Sequence, residues 1–261
     1  MSEEVLYQVN DGIALLTLNR PNRRNSFTLS MIHRWADLLI EANADDAVRV
    51  IVVTGAGGAF CAGIDLDVLE TIELTAKARR EFLTNEVHRV ARAVEASDKP
   101  IIAAVAGPAV GAGMDMALMC DIRIAAQSAK FAESYVNLGL VPGDGGGYYL
   151  PRLVGTAKAL ELLLTGDTLT GQQAADLGIA NHVVPDDSLM DATMKLAATI
   201  AAKPPIAVKL IRHTVYESQG TDLATALDLV ATHMSVAMLT QDHQEALAAF
   251  REKRPGNFQG I

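Results

Sequence analysis

Backbone amides, rather than side chains, are the first chemistry this sequence offers. Residues 55–66, GAGGAFCAGIDL, hold four glycines and three alanines with an acid next to last, and follow the apolar run Val50–Val53. Residues 107–115, GPAVGAGMD, have the same small-residue character and follow the apolar run Ile101–Val105. Glycine admits conformations closed to other residues and lets another group approach the backbone closely. Amides at a helix N-terminus lack internal partners and carry partial positive charge. A glycine turn opening into a helix can therefore hold an anion or a developing oxyanion. GAGMDM has that form, with Asp115 about one helical turn in, and the useful donors of the first stretch lie near Gly63 and Ile64. For either loop alone, tight turns and close helix–sheet packing are the better account.

Other chemistries fit poorly. The chain has no G-x-x-x-x-G-K-[ST], and no G-x-G-x-x-G between a strand and a helix with a later acidic partner. It has no G-x-S-x-G nucleophile elbow either. Cys61 has no identifiable base, and the six histidines show no ligand spacing, so no metal site is expected.

Positioning such turns takes strands and helices. Residues 5–19 read as two strands joined by Asn10-Asp11-Gly12, a hairpin signal. Helical apolar spacing follows over 28–46, with Thr28 or Ser30 as cap. Next come a strand over 49–54, an amphipathic helix over 76–97, a buried strand Ile101–Val105 and a strand Asp121–Ala125. A third glycine-rich turn, LGLVPGDGGGYYLPRLVG, spans 138–155, and from Thr156 onward the pattern is mostly helical. Strands recurring with helices, then helices alone, predict an α/β core with a helical C-terminal portion.

The apolar stretch Pro100–Cys120 is long enough to mimic a membrane span. It holds Gly107-Pro108, two further glycines and Asp115, so a strand, a tight turn and a helix suit it better, and a protein with no membrane partner is expected. Half of the 261 residues are hydrophobic and a fifth charged, which excludes general disorder. A net charge of −9 argues against nucleic acid as a partner. Cys61 and Cys120 have no metal or disulfide spacing and read as buried thiols of a reducing compartment. The first residues offer neither a basic stretch nor an apolar signal core, which points to the cytoplasm.

Six stretches together carry a resemblance: LNRPNRRNSF, GAGGAFCAGIDL, KPIIAAVAGPAVGAGMDMALMCDIRIA, AKFAESYVNLGLVPGDGG, LTGDTLTGQQAADLGIANHVV and EALAAFREKRPGNF. In this order they make the chain resemble the crotonase, or enoyl-CoA hydratase/isomerase, superfamily along nearly its whole length. The resemblance implies an α/β fold, a spiral of ββα units over 1–187 with a helical trimerisation region over 188–261. It implies a homotrimer or a dimer of trimers, an acyl-CoA thioester substrate, and no cofactor besides the coenzyme A of that substrate. By position, the amides of Ile64 and Ala112, the latter between Gly111 and Gly113, would stabilise a thioester enolate. Each such donor is worth about 3–4 kcal/mol in a transition state. The resemblance also implies that the backbone of Ala62, Asp65 and Leu66 holds the adenine–pantetheine arm with Phe250 packed near it, and that Gly63, Gly111 and Pro142 belong to the coenzyme A and substrate site. Arg24 and Lys253, in the basic patches NRPNRRN and REKRPGNF, are the candidates for the phosphates of coenzyme A.

The catalytic pattern departs from that of typical hydratases, which carry two glutamates. The first of those positions is Asp115 here, and the second falls on Tyr135. Asp144, in VPGDGG, stands where relatives of other chemistry place an acid. Asp115 and Asp144 are thus read as flanking the substrate with Tyr135 as donor or relay, and Glu133 as pointing elsewhere. The structural alternatives are a helix-terminal Asp115, an Asp144 that caps the helix after it, and a core Tyr135. Hydration of an enoyl-CoA leads. The rivals are enoyl-CoA or dienoyl-CoA isomerisation, carbon–carbon bond hydrolysis or decarboxylation through the same enolate, and, from another class, an acyl-CoA-binding protein without turnover.

Overall fold

Asp11 and Gly12 take φ of 50° and 76°, the two positive values that a two-residue hairpin turn needs. They join β1 (Val5–Asn10) to β2 (Ile13–Leu18) as an antiparallel pair. The computed structural model describes residues 3–261. Parallel strands then extend the sheet: β3 (Val50–Gly55) beside β2, β4 (Ile101–Val105) beside β3. A shorter second sheet begins at β5 (Pro108–Val110), while β6 (Ile122–Ala126) pairs with β4. β7 (Lys130–Ala132) lies parallel to β5 and antiparallel to β8 (Thr168–Thr170), and β9 (His182–Val184) closes the main sheet beside β6. β8 and β9 are not legible in the helical pattern after Thr156, because each is three residues long and takes its order from its neighbour.

The apolar runs of β3 and β4 are buried on both faces, as parallel strands covered by helices must be. Ile51, Val53, Ile101 and Ala103 face one core, and Val50, Val52, Ile102 and Ala104 face a second. α1 (Leu29–Ala44) packs on the first through Trp35, Leu38 and Leu39. Thr28, rather than Ser30, caps it, accepting from the Met31 N–H at 3.2 Å. The helix expected over 76–97 is three pieces: α3 (Ala76–Phe82), a π turn over Leu83–Val87, and α4 (His88–Glu95), preceded by the short α2 (Leu66–Glu70).

The stretch Pro100–Cys120 forms β4, a turn, β5 and α5 (Ala112–Leu118). α6 (Gly146–Val154), α7 (Thr156–Thr165) and α8 (Gly171–Asp176) follow, and α9 (Leu189–Ala201) covers the second core through Leu189 and Ala197. No single described helix is long and apolar enough to cross a membrane. Three last helices, α10 (Pro205–Ser218), α11 (Leu223–Met238) and α12 (Gln241–Glu252), behave differently. Neither α10 nor α11 buries a residue completely, and Leu223, Leu227, Met234 and Leu239 are exposed.

Candidate active site

Sheet edges bring the first two glycine loops together. Cys61 forms a parallel bridge with Ala109 of β5, so its N–H donates to Pro108 O and its O accepts from Val110 N. That contact sets Gly63, at φ 89°, beside the first turn of α5: a methyl group there would stand 3.0 Å from Val110 O and 3.5 Å from Ala112 N. A methyl at Gly113 would overlap Cys61 O, so α5 starts against bare backbone. Among the described residues, neither the Ile64 nor the Ala112 N–H donates to any acceptor. Their neighbours are committed: Phe27 N binds Gly63 O, Asp65 N binds Phe27 O, and Gly111 N binds Ala132 O at 2.7 Å. The other end of α5 is held by buried Arg123, whose guanidinium donates to Leu118 O and Cys120 O, opposite in sign to the helix C-terminus.

The three acids and the tyrosine form one buried cluster. The Asp115 side chain lies on α5 and is fully buried, and its Oδ2 accepts from Tyr135 O–H at 2.6 Å and from Asp144 N–H at 3.0 Å. Tyr135 also donates toward Asp144 Oδ2 at 3.2 Å. Its ring touches both loops, since methyl groups at Gly111 and Gly143 would stand 3.9 and 3.7 Å from it. Asp144 does not cap α6, whose N-cap is Gly145 with no side-chain bond, and Asp144 Oδ1 has no partner among the described residues.

Glu133 corrects the sequence reading. It points inward, is 2% exposed, and meets Asp115 over the Gly146 α-carbon, where a methyl would overlap both carboxyl groups. Its spacing from Tyr135 carries no strand signal, because Glu133 opens the 3-10 turn over Ser134–Leu138 that brings both side chains to Asp115.

Burial, with no cation among the described residues to offset it, pushes every acid of the cluster up. Desolvation and then the Asp115 charge raise Asp144 to about 7, and the same two causes raise Glu133 to about 10. Asp115 is also raised by burial, but its donors, Tyr135 O–H first, work against the rise. Asp115 is therefore the first of the three to ionise, Asp144 titrates near neutrality, and Glu133 stays protonated. Tyr135 is pushed far above its ordinary range, again by burial first, so it remains a donor. Cys61 is fully buried and its thiol is raised to about 12, which leaves it no nucleophilic role. A cavity of about 670 Å³ reaches Asp144 from the side of α4 and α10, lined by His88, Tyr148, Tyr149 and Tyr216. His88 Nε2 bonds Gly143 O at 2.7 Å and so fixes the loop that carries Asp144, a contact with no sequence signature.

The residues expected to hold coenzyme A are more scattered. Ala62 and Asp65 use their N–H groups on Arg24 O and Phe27 O, so only their carbonyls remain for a ligand. Burial would raise the Asp65 carboxyl, yet hydrogen bonds from Arg20 and the Asp67 N–H, with the charge of Arg23, hold it low. Asp65 thus caps α2 and orders the basic loop rather than facing a phosphate. Arg24 makes no ion pair among the described residues and sits at φ 49°, with Leu66 and Pro142 near the surface. Phe250, 84% exposed, and Lys253, at φ 55°, lie at the end of α12, whose packing within the chain is mainly on α11.

With this geometry in view, comparisons with known proteins agree with one another. The sequence model described as enoyl-CoA hydratase/isomerase matches residues 8–260. Crotonyl-CoA hydratase of Syntrophomonas wolfei is 37% identical over 259 residues, 98% of each chain. The 1,2-epoxyphenylacetyl-CoA isomerase of Escherichia coli is 38% identical over 266 residues, all of both chains. The crystal structure of an enoyl-CoA hydratase from Bacillus anthracis superposes with a TM-score of 0.95 at 32% identity, covering 99% of this chain and 100% of that one.

Proposed function

Because the chain belongs to the enoyl-CoA hydratase/isomerase family and has its crotonase fold, we propose that it adds water to the double bond of an enoyl-CoA thioester. The observation that supports this most is the pair of uncommitted amides, Ile64 and Ala112, on two loops joined at Cys61 and Ala109, with Asp115 of the buried acid cluster on the same helix as Ala112. The thioester oxygen accepts from both amides and gains charge as water adds at the β-carbon. Asp144 Oδ1, the open carboxylate oxygen, takes the water proton, and the enolate recovers a proton at the α-carbon from the same cluster. Asp115 holds Tyr135 and the Asp144 N–H and sets the position of the base. Coenzyme A enters with the substrate, and no further cofactor is needed.

One observation favours a second reading. Tyr135 stands where typical hydratases have their second carboxylate, and Asp115 Oδ2 is committed to Tyr135 O–H and Asp144 N–H, so proton transfer falls mainly to Asp144. A single base suffices to remove a proton at one carbon and return it at another, moving the double bond through a dienolate. Mass spectrometry of a panel of acyl-CoA thioesters separates the readings. Hydration adds one water, isomerisation leaves the mass while shifting the absorption spectrum, and carbon–carbon cleavage fragments the acyl group. Calorimetry should find thioesters bound far more tightly than the free acids. Binding across the panel without any turnover would remove the enzymatic reading.

The same proposal includes assembly. Residues 188–261 expose apolar side chains on α11 that one chain leaves uncovered, and symmetric self-association is the usual way to cover such a face. Light scattering at micromolar concentration should give three or six chain masses. A mass of one chain would count decisively against a trimeric assembly.

A further inference from the structure

Glu133 is the buried acid that this proton chemistry leaves unused. Neither of its carboxyl oxygens has a hydrogen-bond partner among the described residues, and neither has Asp115 Oδ1. A buried carboxylate with no donor and no cation costs so much that the group takes up a proton instead. The two carboxyls converge over the Gly146 α-carbon, so a proton on Glu133 turns facing acceptors into a donor and an acceptor. Asp115 already has two donors, Tyr135 O–H and Asp144 N–H, and is therefore the partner that keeps the charge.

We propose that Glu133 is a positioning residue that stays protonated, donates its O–H to Asp115 Oδ1, and so holds Asp115 as the anion against which Tyr135 and Asp144 are set. This rests on the reading of Asp115, Tyr135 and Asp144 as the proton-handling group. Glu133 touches no substrate and acts through Asp115. The groups that face it are all acidic or neutral: Asp115 from α5, Tyr135 from the turn after β7, and Asp144 from the loop before α6. His88 of α4 reaches that loop at Gly143 O, and the neutral Cys61 thiol lies close enough to Asp144 to be raised by its charge. The rise of Glu133 to about 10, from burial first and the Asp115 charge second, agrees with this order.

Kinetics and a stability series test it together. Glu133→Gln keeps a donor for Asp115 and should hold kcat within about threefold of wild type with the same pH midpoint. Glu133→Leu removes the donor, which should lower kcat by about tenfold to a hundredfold. It also raises the cost of every negative charge in the cluster, so its acidic limb should move to higher pH. The stability series does not depend on turnover. An unfolded glutamate ionises near 4.3 while the folded one holds its proton to about 10. Between those values the unfolded state binds fewer protons, so Glu133 costs wild type stability as pH rises, beyond the loss through Asp144 and Asp115 that Glu133→Gln shares. The Tm difference in favour of Glu133→Gln should grow by at least about 5 °C between pH 5 and pH 9. A flat difference overturns the proposal, as does Glu133→Gln being as slow as Glu133→Leu, or Glu133→Leu keeping the wild-type rate and profile. If Glu133→Leu does not fold, the Gln comparison still decides. A wild type inert across the acyl-CoA panel strikes the proposed reaction instead, and leaves the Tm series to decide the proton on Glu133.

Discussion

Asp144→Asn lowers kcat on the best thioester of the panel by about a hundredfold or more, with Tm within a few degrees of wild type. The change keeps the shape of the side chain and removes the proton acceptor. Asp144 caps no helix, and its side chain's one hydrogen bond among the described residues, from Tyr135 O–H at 3.2 Å, survives with an amide oxygen. The wild-type pH profile supplies a second signature. Burial, then the Asp115 charge, raises Asp144 to about 7, so the base form and the rate should both increase as pH passes through 7. In Asp144→Asn that limb disappears. Asp115→Asn should be slowed on the same scale but also destabilised, because Asp115 Oδ2 gathers two donors in a fully buried position. As the two act through one cluster, the double variant should be scarcely slower than the worse single one. Near-normal rates with additive losses of Tm would make both aspartates structural.

The parts of this molecule visible in the sequence are those set by local chemistry. The Asp11–Gly12 hairpin, the buried runs of β3 and β4, the cap at Thr28 and the break of Pro100–Cys120 into strand, turn and helix each follow from a few adjacent residues. What stayed hidden depends on distant partners. β8 and β9 are strands only because β7 and β6 present edges to them. The π turn at Leu83–Val87 inserts a residue into a pattern that reads as unbroken helix. At the site, the resemblance places Ile64, Ala112, Asp115, Tyr135 and Asp144 in one family pattern, and the structure adds the contacts among the last three. Glu133 stands two residues before the family position at Tyr135 and so reads as pointing elsewhere, whereas the 3-10 turn over Ser134–Leu138 brings it and Tyr135 to the same carboxylate. Asp65 shows the opposite failure: an acid in a loop marked for ligand binding is bound by Arg20 and Arg23 of its own chain.

The second large effect belongs to the backbone. Ala112→Pro should reduce kcat by about a hundredfold to a thousandfold, the scale for one lost oxyanion donor, while the protein still folds. Ala112 is the first residue of α5, the one helical position where proline is readily accommodated. Its N–H has no acceptor among the described residues, so proline breaks no hydrogen bond there. Gly111 before it has no Cβ to clash with the proline ring. The substitution therefore isolates the N–H itself. Ala112→Gly, which keeps the N–H and removes only a methyl, should stay within a few-fold of wild type and serves as the control. Tyr135→Phe should fall between them, because Asp115 loses one donor but retains the Asp144 N–H. Rates of the three variants at equal Tm rank the donors directly. A folded Ala112→Pro enzyme with near-normal kcat would mean that the thioester oxygen does not sit at α5, and Ile64 would then have to act with some other donor.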